Sequence, residues 1–531
     1  MSLRAAPSVA VVGAGPGGLA AAMLLASSGL DVTVYESQPR IGGRTGRLTV
    51  GDYHFDRGAT FFLMPYVLEE IFAAAGRRLT DYVELTRLDP MYRLVVGRRG
   101  QAPLVLDCTQ DLDEMSRRIG AIEPEDAAAF LRFMRENRAK LTAFEPILRS
   151  PFTSPRDLFS ANTIRALPLL KPHRSVHDDL KGCFKHPAVR LAFSFQSKYL
   201  GMSPFKCPSL FTILPFIEYE YGVWHPRGGC NALMTAMATA CTEMGVRIHT
   251  GTPVERVTFR DRRVIGLQTG GTLRRHDHVV MNADAAWALK NLIPEHVRPR
   301  SLSNRSLDSK KYSCSTAMLY LGLDRPLETA HHTIYISEDY QENLADIAAG
   351  RPSRDPSVYL HNPCALDPTL APRGHSSAYI LVPTANTRTG TDWVEAMPKL
   401  REQALDRAGV LAGFDLRPHI RAELPFTPAD WQATNINFGA TFNLAHTLTQ
   451  MLHMRPQHKV PGIEGLWLVG GGTHPGSGLP VIFLSSQITS RLLCKAAGVS
   501  YSGDRPPGRT VIEAKPLAGS IFAGQAASAI G

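Results

Sequence analysis

The chain has no uninterrupted apolar run of 18 or more residues. A bilayer-spanning helix needs about 20, so none is expected. The eight cysteines, Cys108, Cys183, Cys207, Cys230, Cys241, Cys314, Cys364 and Cys494, are scattered and form no Cys-x-x-Cys pair. That argues against a thiolate zinc site and a disulfide scaffold, and it fits a reducing cytoplasm. The histidines offer no metal constellation, because His331 and His332 are adjacent and not spaced to chelate from one helix face. Internal repeats, low-complexity blocks and nucleic-acid-binding modules are also missing. The formal charge of +10 and pI near 9.2 are therefore read as a basic solubilising surface that favours anionic partners such as acidic lipid headgroups.

What is present is ordinary globular composition, 44% hydrophobic and 20% charged. A chain of 531 residues exceeds one small core, so two or three interleaved domains are expected. Arg4 followed by the apolar Val9–Val12 superficially resembles a secretory signal, but Gly13, Ala14, Gly15, Pro16, Gly17 and Gly18 interrupt it. A strand, a glycine turn and a helix explain the segment better. Ser8–Val12 reads as a buried strand, Gly17–Ser28 as a helix closed by Gly29, and Val32–Tyr35 as a second strand. That is one βαβ unit.

Gly13, Gly15 and Gly18 fit G-x-G-x-x-G. The first glycine makes the turn out of the strand, the second admits a pyrophosphate, and the third lets helix and strand pack closely. The helix N-terminus offers unpaired N–H groups to phosphate. Glu36 lies 18 residues past Gly18, where an acid bonds ribose hydroxyls. In the loop Gly42–Gly43–Arg44 the arginine supplies planar donors for pyrophosphate charge. Further along, Leu112 to Tyr199 reads as mainly helical, and within it Leu158–Leu180 mixes Ile164, Leu167, Leu169 and Leu170 with Arg165, Lys171 and Arg174. Such a basic amphipathic segment suits a bilayer interface, or else a helix pair packed on a core. Pro352–Pro372 is proline-rich and reads as irregular. Leu466–Val469 reads as a strand, Gly470–Gly472 as a turn, and Val481–Leu493 as a helix.

The run from Val9 to Phe62, with its "GGR" and "FDRGATFF" pieces, resembles the flavin amine oxidase superfamily. The whole span from Val9 to about Leu493 resembles its carotenoid desaturase branch, the phytoene and dehydrosqualene desaturases. The most specific pieces are "LAFSFQSKYLGMSPF" at 191–205, "GVWHPRGGCNAL" at 222–233, "SCSTAMLYLGLD" at 313–324, "HHTIY" at 331–335, "HNPCALDPTLAPRGHSSAYILVP" at 361–383 and "LVGGGTHPGSGLP" at 468–480. The 191–205 piece looks closer to thirty-carbon enzymes and "GVWHPRGG" closer to forty-carbon ones, so chain length stays open.

The resemblance implies an α/β fold, with a Rossmann-type FAD-binding domain interleaved with a mixed-sheet substrate domain and a helical, membrane-associated subdomain. The expected FAD-binding domain comprises residues 1–50, 240–300 and 460–500. Residues 51–111, 200–239 and 301–459 are assigned to the substrate domain, 112–199 to the helical subdomain and 501–531 to a partly mobile tail. It also implies FAD held by Gly13, Gly15, Gly18, Glu36, Gly43 and Arg44. Val254 would meet the adenine edge, with Gly471, Gly472, Leu479 and Val481 beside the flavin ring.

The implied activity is introduction of conjugated double bonds into a long isoprenoid by hydride transfer to flavin. Oxygen or a membrane quinone would be the electron acceptor, because no second nucleotide fingerprint is present. Related chemistries stay open: terminal-methyl oxidation, isomerisation or polyene saturation. So does a non-catalytic prenyl-lipid escort, and so does homo-oligomer formation. The expected location is cytoplasmic, peripheral on the inner membrane face. Residues 209–224, "SLFTILPFIEYEYGVW", read either as tunnel lining or as ordinary core. Within them Glu218 and Glu220 are acid–base candidates, because a buried carboxyl exchanges protons at a raised pKa. His474 is the third candidate, with His361 and His446 behind it.

Overall fold

A computed structural model describes residues 6–505. The glycine fingerprint sits in a five-stranded parallel sheet assembled from distant parts of the chain. Its order is Leu466–Leu468, His278–Met281, Ser8–Val12, Asp31–Tyr35, Arg247–His249. Val9 to Val12 pair on one side with His278 to Met281 and on the other with Val32 to Tyr35. Val9–Val12 and Val279–Met281 are continuous apolar runs because both faces of a parallel sheet are covered. The helix Pro16–Ser27 buries Leu19 through Leu25 completely, and it packs against the long helix Leu479–Ala497. The proline at its first turn costs nothing, because that N–H has no helical partner.

Sequence boundaries hold to within a few residues, with two corrections. Val358–His361, inside the stretch read as irregular, is a strand in the interior of a seven-stranded mixed sheet. The order of that sheet is Ile420–Phe426, Ser315–Leu323, Ser376–Thr384, Val358–His361, His332–Ile336, Tyr92–Arg98, Gln101–Cys108. The second correction concerns the tail. Tyr501 and Ser502 are buried, and the Ser502 N–H donates to Ser28 Oγ at 3.0 Å. The expected tail beyond residue 505 lies outside the described residues.

Residues 112–199 form Leu112–Ile122, the 25-residue Pro124–Leu148, Ala161–Leu170, Val176–Lys181 and Pro187–Ala192. Asp111 caps the first helix, accepting from Asp113 and Glu114 N–H at 3.0 Å each. Aromatic rings fill the core of this layer. Phe193 is fully buried, with ring centroids 4.9 Å from Phe184, 5.1 Å from Phe133, 5.6 Å from Phe130 and 5.6 Å from Tyr219. No helix among the described residues is long and apolar enough to cross a membrane.

Because Phe193 joins four rings, Phe193→Ala should cost about 3–5 kcal/mol. A clear drop in the thermal midpoint is expected, and an unchanged midpoint would refute the assigned packing.

Candidate active site

The two glycine turns face each other across one side chain. Asn282 follows the strand His278–Met281, and its Nδ2 donates to the Gly13 carbonyl at 3.0 Å. A Cβ on Gly17 would meet Asn282 Oδ1 at 2.6 Å and the Gly470 Cα at 3.3 Å, and one on Gly18 would meet the Gly13 carbonyl at 2.1 Å. Gly13 has φ +98° and Gly470 φ +103°, a region L side chains rarely adopt. Gly15 caps the helix Pro16–Ser27 and Gly478 caps Leu479–Ala497, each without a side-chain cap. Two helix N-termini therefore keep unpaired N–H groups for a ligand.

The loop Gly42–Arg44 closes over this cradle, with a Cβ on Gly43 falling 3.5 Å from the Gly15 Cα. Glu36 is buried; its Oε2 accepts from the Ala14 N–H at 2.7 Å and its Oε1 from the Gln38 N–H at 2.8 Å. Val254 is half-buried in the extended segment after Thr252, whose N–H donates to the Glu36 carbonyl at 2.8 Å. Arg44 Nη1 donates to the Thr441 carbonyl at 2.6 Å. With the Asn443 amide turned to satisfy both its neighbours, its nitrogen donates to Asp284 at 2.6 Å and its oxygen accepts from Arg44 at 3.1 and 3.2 Å. Burial lowers the Arg44 pKa, and Asp284 opposes that shift. Gly471 and Gly472 are closed against Ser477 and Ala285, while Leu479 is buried and Val481 half-buried at the helix start. Glycines let the two turns, the helix starts and Asn282 come together without side chains between them, an arrangement that suits a dinucleotide pyrophosphate.

The acid–base candidates share no hydrogen-bond partner. Glu218 is completely buried; Tyr92 OH donates to its Oε2 at 2.8 Å and Gln196 Nε2 at 3.0 Å. Burial pushes its pKa up to about 7, against the lowering effect of those two donors. Glu220 instead pairs with Arg138 at 2.6 Å. His474 Nε2 lies 3.0 Å from the Ser150 carbonyl, and burial holds its pKa down to about 4. His446 Nε2 accepts from the Ser477 N–H at 3.1 Å and props the turn before the long helix. Residues 209–224 divide by helical face. Phe216, Ile217 and Tyr219 are core, whereas Phe211, Leu214, Tyr221 and Trp224 keep accessible surface.

Several residues escaped the sequence reading. Asp56 accepts from the Cys230 and Asn231 N–H groups at 2.9 and 3.0 Å, tying "FDRG" to the start of the helix Asn231–Glu243. His331 and His332, set aside as a chelate because they are adjacent, belong to a cluster that strand pairing completes. His332 lies opposite His361, and a nitrogen of each of these three rings lies within 4.8 Å of the others. His225 joins them, its Nδ1 3.1 Å from His331 Nε2.

Residues 16–493 match the flavin containing amine oxidoreductases. The chain belongs to that family. A flavin bound through a dinucleotide fingerprint is FAD, and the cradle between the two glycine turns fits it. This flavoprotein is 39% identical over 498 residues to a 4,4'-diapophytoene desaturase (4,4'-diapolycopene-forming) of Methylomonas sp, covering 93% of this chain and 96% of that protein. It is 40% identical over 505 residues to an all-trans-zeta-carotene desaturase of Myxococcus xanthus, covering 92% and 94%. Among solved structures, cyclohexylamine oxidase from Brevibacterium oxydans IH-35A shares the fold, with a TM-score of 0.61 at 15% identity over 93% of this chain and 100% of that one.

Two outcomes test the site. Gly18→Ala places a methyl against the Gly13 carbonyl, so bound flavin should fall roughly tenfold or more. Purified variant carrying full flavin absorbance would contradict the cradle. The second concerns Glu218, whose pKa rises on folding from 4.5 to about 7. It stabilises the fold below its unfolded pKa and loses that contribution as pH climbs through 7. Glu218→Gln should therefore gain thermal stability relative to the parent between about pH 5 and about pH 8, by about 3 kcal/mol. A pH-independent difference between the two would rule this out.

Proposed function

We propose that the protein is an FAD-dependent desaturase of carotenoid biosynthesis. Its substrate is a long acyclic isoprenoid of the dehydrosqualene or phytoene type, in which it creates conjugated double bonds. The observation that carries the reading is the near-full-length identity of about two residues in five to proteins named for that reaction, joined to an intact glycine cradle. FAD supplies the acceptor for a hydride from an allylic carbon of the chain. The protein's part is to hold the cofactor, orient an apolar chain and keep the site dry. Gly13, Gly15, Gly18, Glu36, Gly43 and Arg44 would bind the nucleotide portion, Val254 the adenine edge, and Gly471, Gly472, Leu479 and Val481 the flavin end. Oxygen or a quinone would take the electrons from the flavin.

A substrate without a polar handle resides in lipid, and one surface suits that source. Around the helix Ala161–Leu170, Phe159 is 77% exposed, Ile164 58%, Leu167 53% and Leu169 39%. Arg156 and Arg165 are exposed beside them. Apolar side chains flanked by cations dock in the interface of an anionic bilayer. Peripheral membrane contact through this face is part of the proposed function.

Purified holoprotein should convert dehydrosqualene or phytoene in anionic liposomes to products with new long-wavelength absorption bands. A flavin-loaded protein that changes neither would defeat the desaturase reading. The double variant Phe159→Asp, Ile164→Asp should lose co-flotation with the liposomes while keeping its flavin. Undiminished flotation would exclude this face as the docking surface.

A further inference from the structure

The buried histidines form a directed chain. His332 Nδ1 lies 2.6 Å from Tyr359 OH, His331 Nδ1 lies 3.2 Å from His332 Nε2, and His331 Nε2 lies 3.1 Å from His225 Nδ1. At the far end His225 Nε2 approaches Asp367 Oδ2 at 3.6 Å. Burial, then neighbouring imidazoles, hold the pKa values of His331 and His332 well below the ordinary range, so each ring is neutral with one N–H. Asp367 is ionised: burial works to raise its pKa, but donors from His225, Thr369 and the Gly228 N–H outweigh it.

Asp367 Oδ2 lies 3.6 Å from His225 Nε2, beyond hydrogen-bond reach, so the carboxylate orients the ring through its charge: it favours the proton on Nε2, which leaves Nδ1 to accept and sets the tautomers that follow. His331 must then donate from Nε2 and accept at Nδ1. His332 must donate from Nε2, which leaves the Nδ1 lone pair on the Tyr359 hydroxyl. Tyr359 is only half-buried, and so are Phe61 and Tyr199 beside it. Phe61 stacks on His332 with ring centroids 4.1 Å apart. Thr60 Oγ1 lies 2.9 Å from Tyr359 OH. Two residues earlier, Gly58 abuts the Arg44 carbonyl, so this loop runs from the FAD cradle to the head of the chain.

We propose that Tyr359, His332, His331, His225 and Asp367 form a proton-accepting relay for the oxidation. The inference rests on the desaturase reading. Forming one C=C from a CH–CH pair breaks two C–H bonds: a hydride carries two electrons to the oxidised flavin, and one proton must leave. That proton enters at the Tyr359 oxygen as Tyr359 gives its own to His332 Nδ1. His332 Nε2 passes one to His331 Nδ1, and His331 Nε2 passes one to His225 Nδ1. The charge then rests on a doubly protonated His225 beside ionised Asp367, as a carboxylate stabilises the imidazolium of a catalytic triad. His361 stacks on His332 with centroids 5.3 Å apart, outside the hydrogen-bonded chain.

The test uses holoprotein in dehydrosqualene- or phytoene-bearing liposomes, with Tyr359→Phe, Asp367→Asn and the double variant. Flavin content and melting serve as controls for folding. Each single change should slow product formation about 10–100-fold, and the double variant should be no slower than the slower single, because both cut one chain. Fully additive losses, or an unaffected Tyr359→Phe, would overturn the relay. Nitrogen-15 histidine spectra of the resting protein should show Nε2–H tautomers at His225, His331 and His332, and Asp367→Asn should scramble them. An Nδ1–H tautomer at His331, or one equivalent of a bound transition metal, would also overturn it, the latter by making the cluster a metal centre. If the parent protein forms no polyene, the desaturase reading fails by itself, and the tautomer spectra still judge the chain.

Discussion

The approach of the two glycine turns across Asn282 is the constraint on which the rest depends. A helix can point its N-terminus at a phosphate only if nothing fills the space between strand, helix and ligand. Here that space is bounded by backbone: Gly13 to Gly18 on one side, Gly470 on the other, and Asn282 bonded to the Gly13 carbonyl at 3.0 Å between them. The turns lie more than 450 residues apart in the chain, so the cradle exists only once the five-stranded sheet has closed. The helices Pro16–Ser27 and Leu479–Ala497, the loop at Gly42 and Asp284, which caps the helix Ala285–Leu292, all take their places from that closure.

Against this rigid end, the seven-stranded sheet carries a cluster of aromatic and imidazole rings, the side proposed to face the substrate. The two halves meet through short connections with chemical content. Asp56, at the end of the strand Tyr53–Asp56, is fastened to the start of the helix Asn231–Glu243, and a Cβ on Gly58 would lie 2.9 Å from the Arg44 carbonyl. The eight residues of "FDRGATFF" thus run from the glycine cradle to the rings around Tyr359.

What the sequence revealed follows from the range of the interactions involved. The βαβ unit, the glycine turns and the acid at Glu36 are local patterns with a fixed spacing, and each appears where its residues predicted. The imidazole chain was invisible because it is made by register. Tyr359 reaches His332 only through antiparallel pairing of the strands that carry them, 27 residues apart, and the strand of Tyr359 lies in a proline-rich stretch whose composition argued for loop. Tertiary pairing overrode propensity there. Glu218 and Glu220 looked equivalent in sequence, yet their places on the helix Ile213–Tyr221 send one to a sealed hydrogen-bond network and the other to Arg138.

The parallel sheet also dictates when the molecule can become whole. Its central strand, Ser8–Val12, precedes its neighbour His278–Met281 by about 270 residues, and the outermost place waits for Leu466–Leu468. Long loops must close before those pairings repay their entropy, so such topologies assemble slowly. During synthesis the nascent βαβ unit therefore presents bare apolar edges until Arg247–His249 and His278–Met281 have emerged to cover them. A protein cut before Leu466 would leave the sheet one strand short and strip the helix Pro16–Ser27 of its partner Leu479–Ala497.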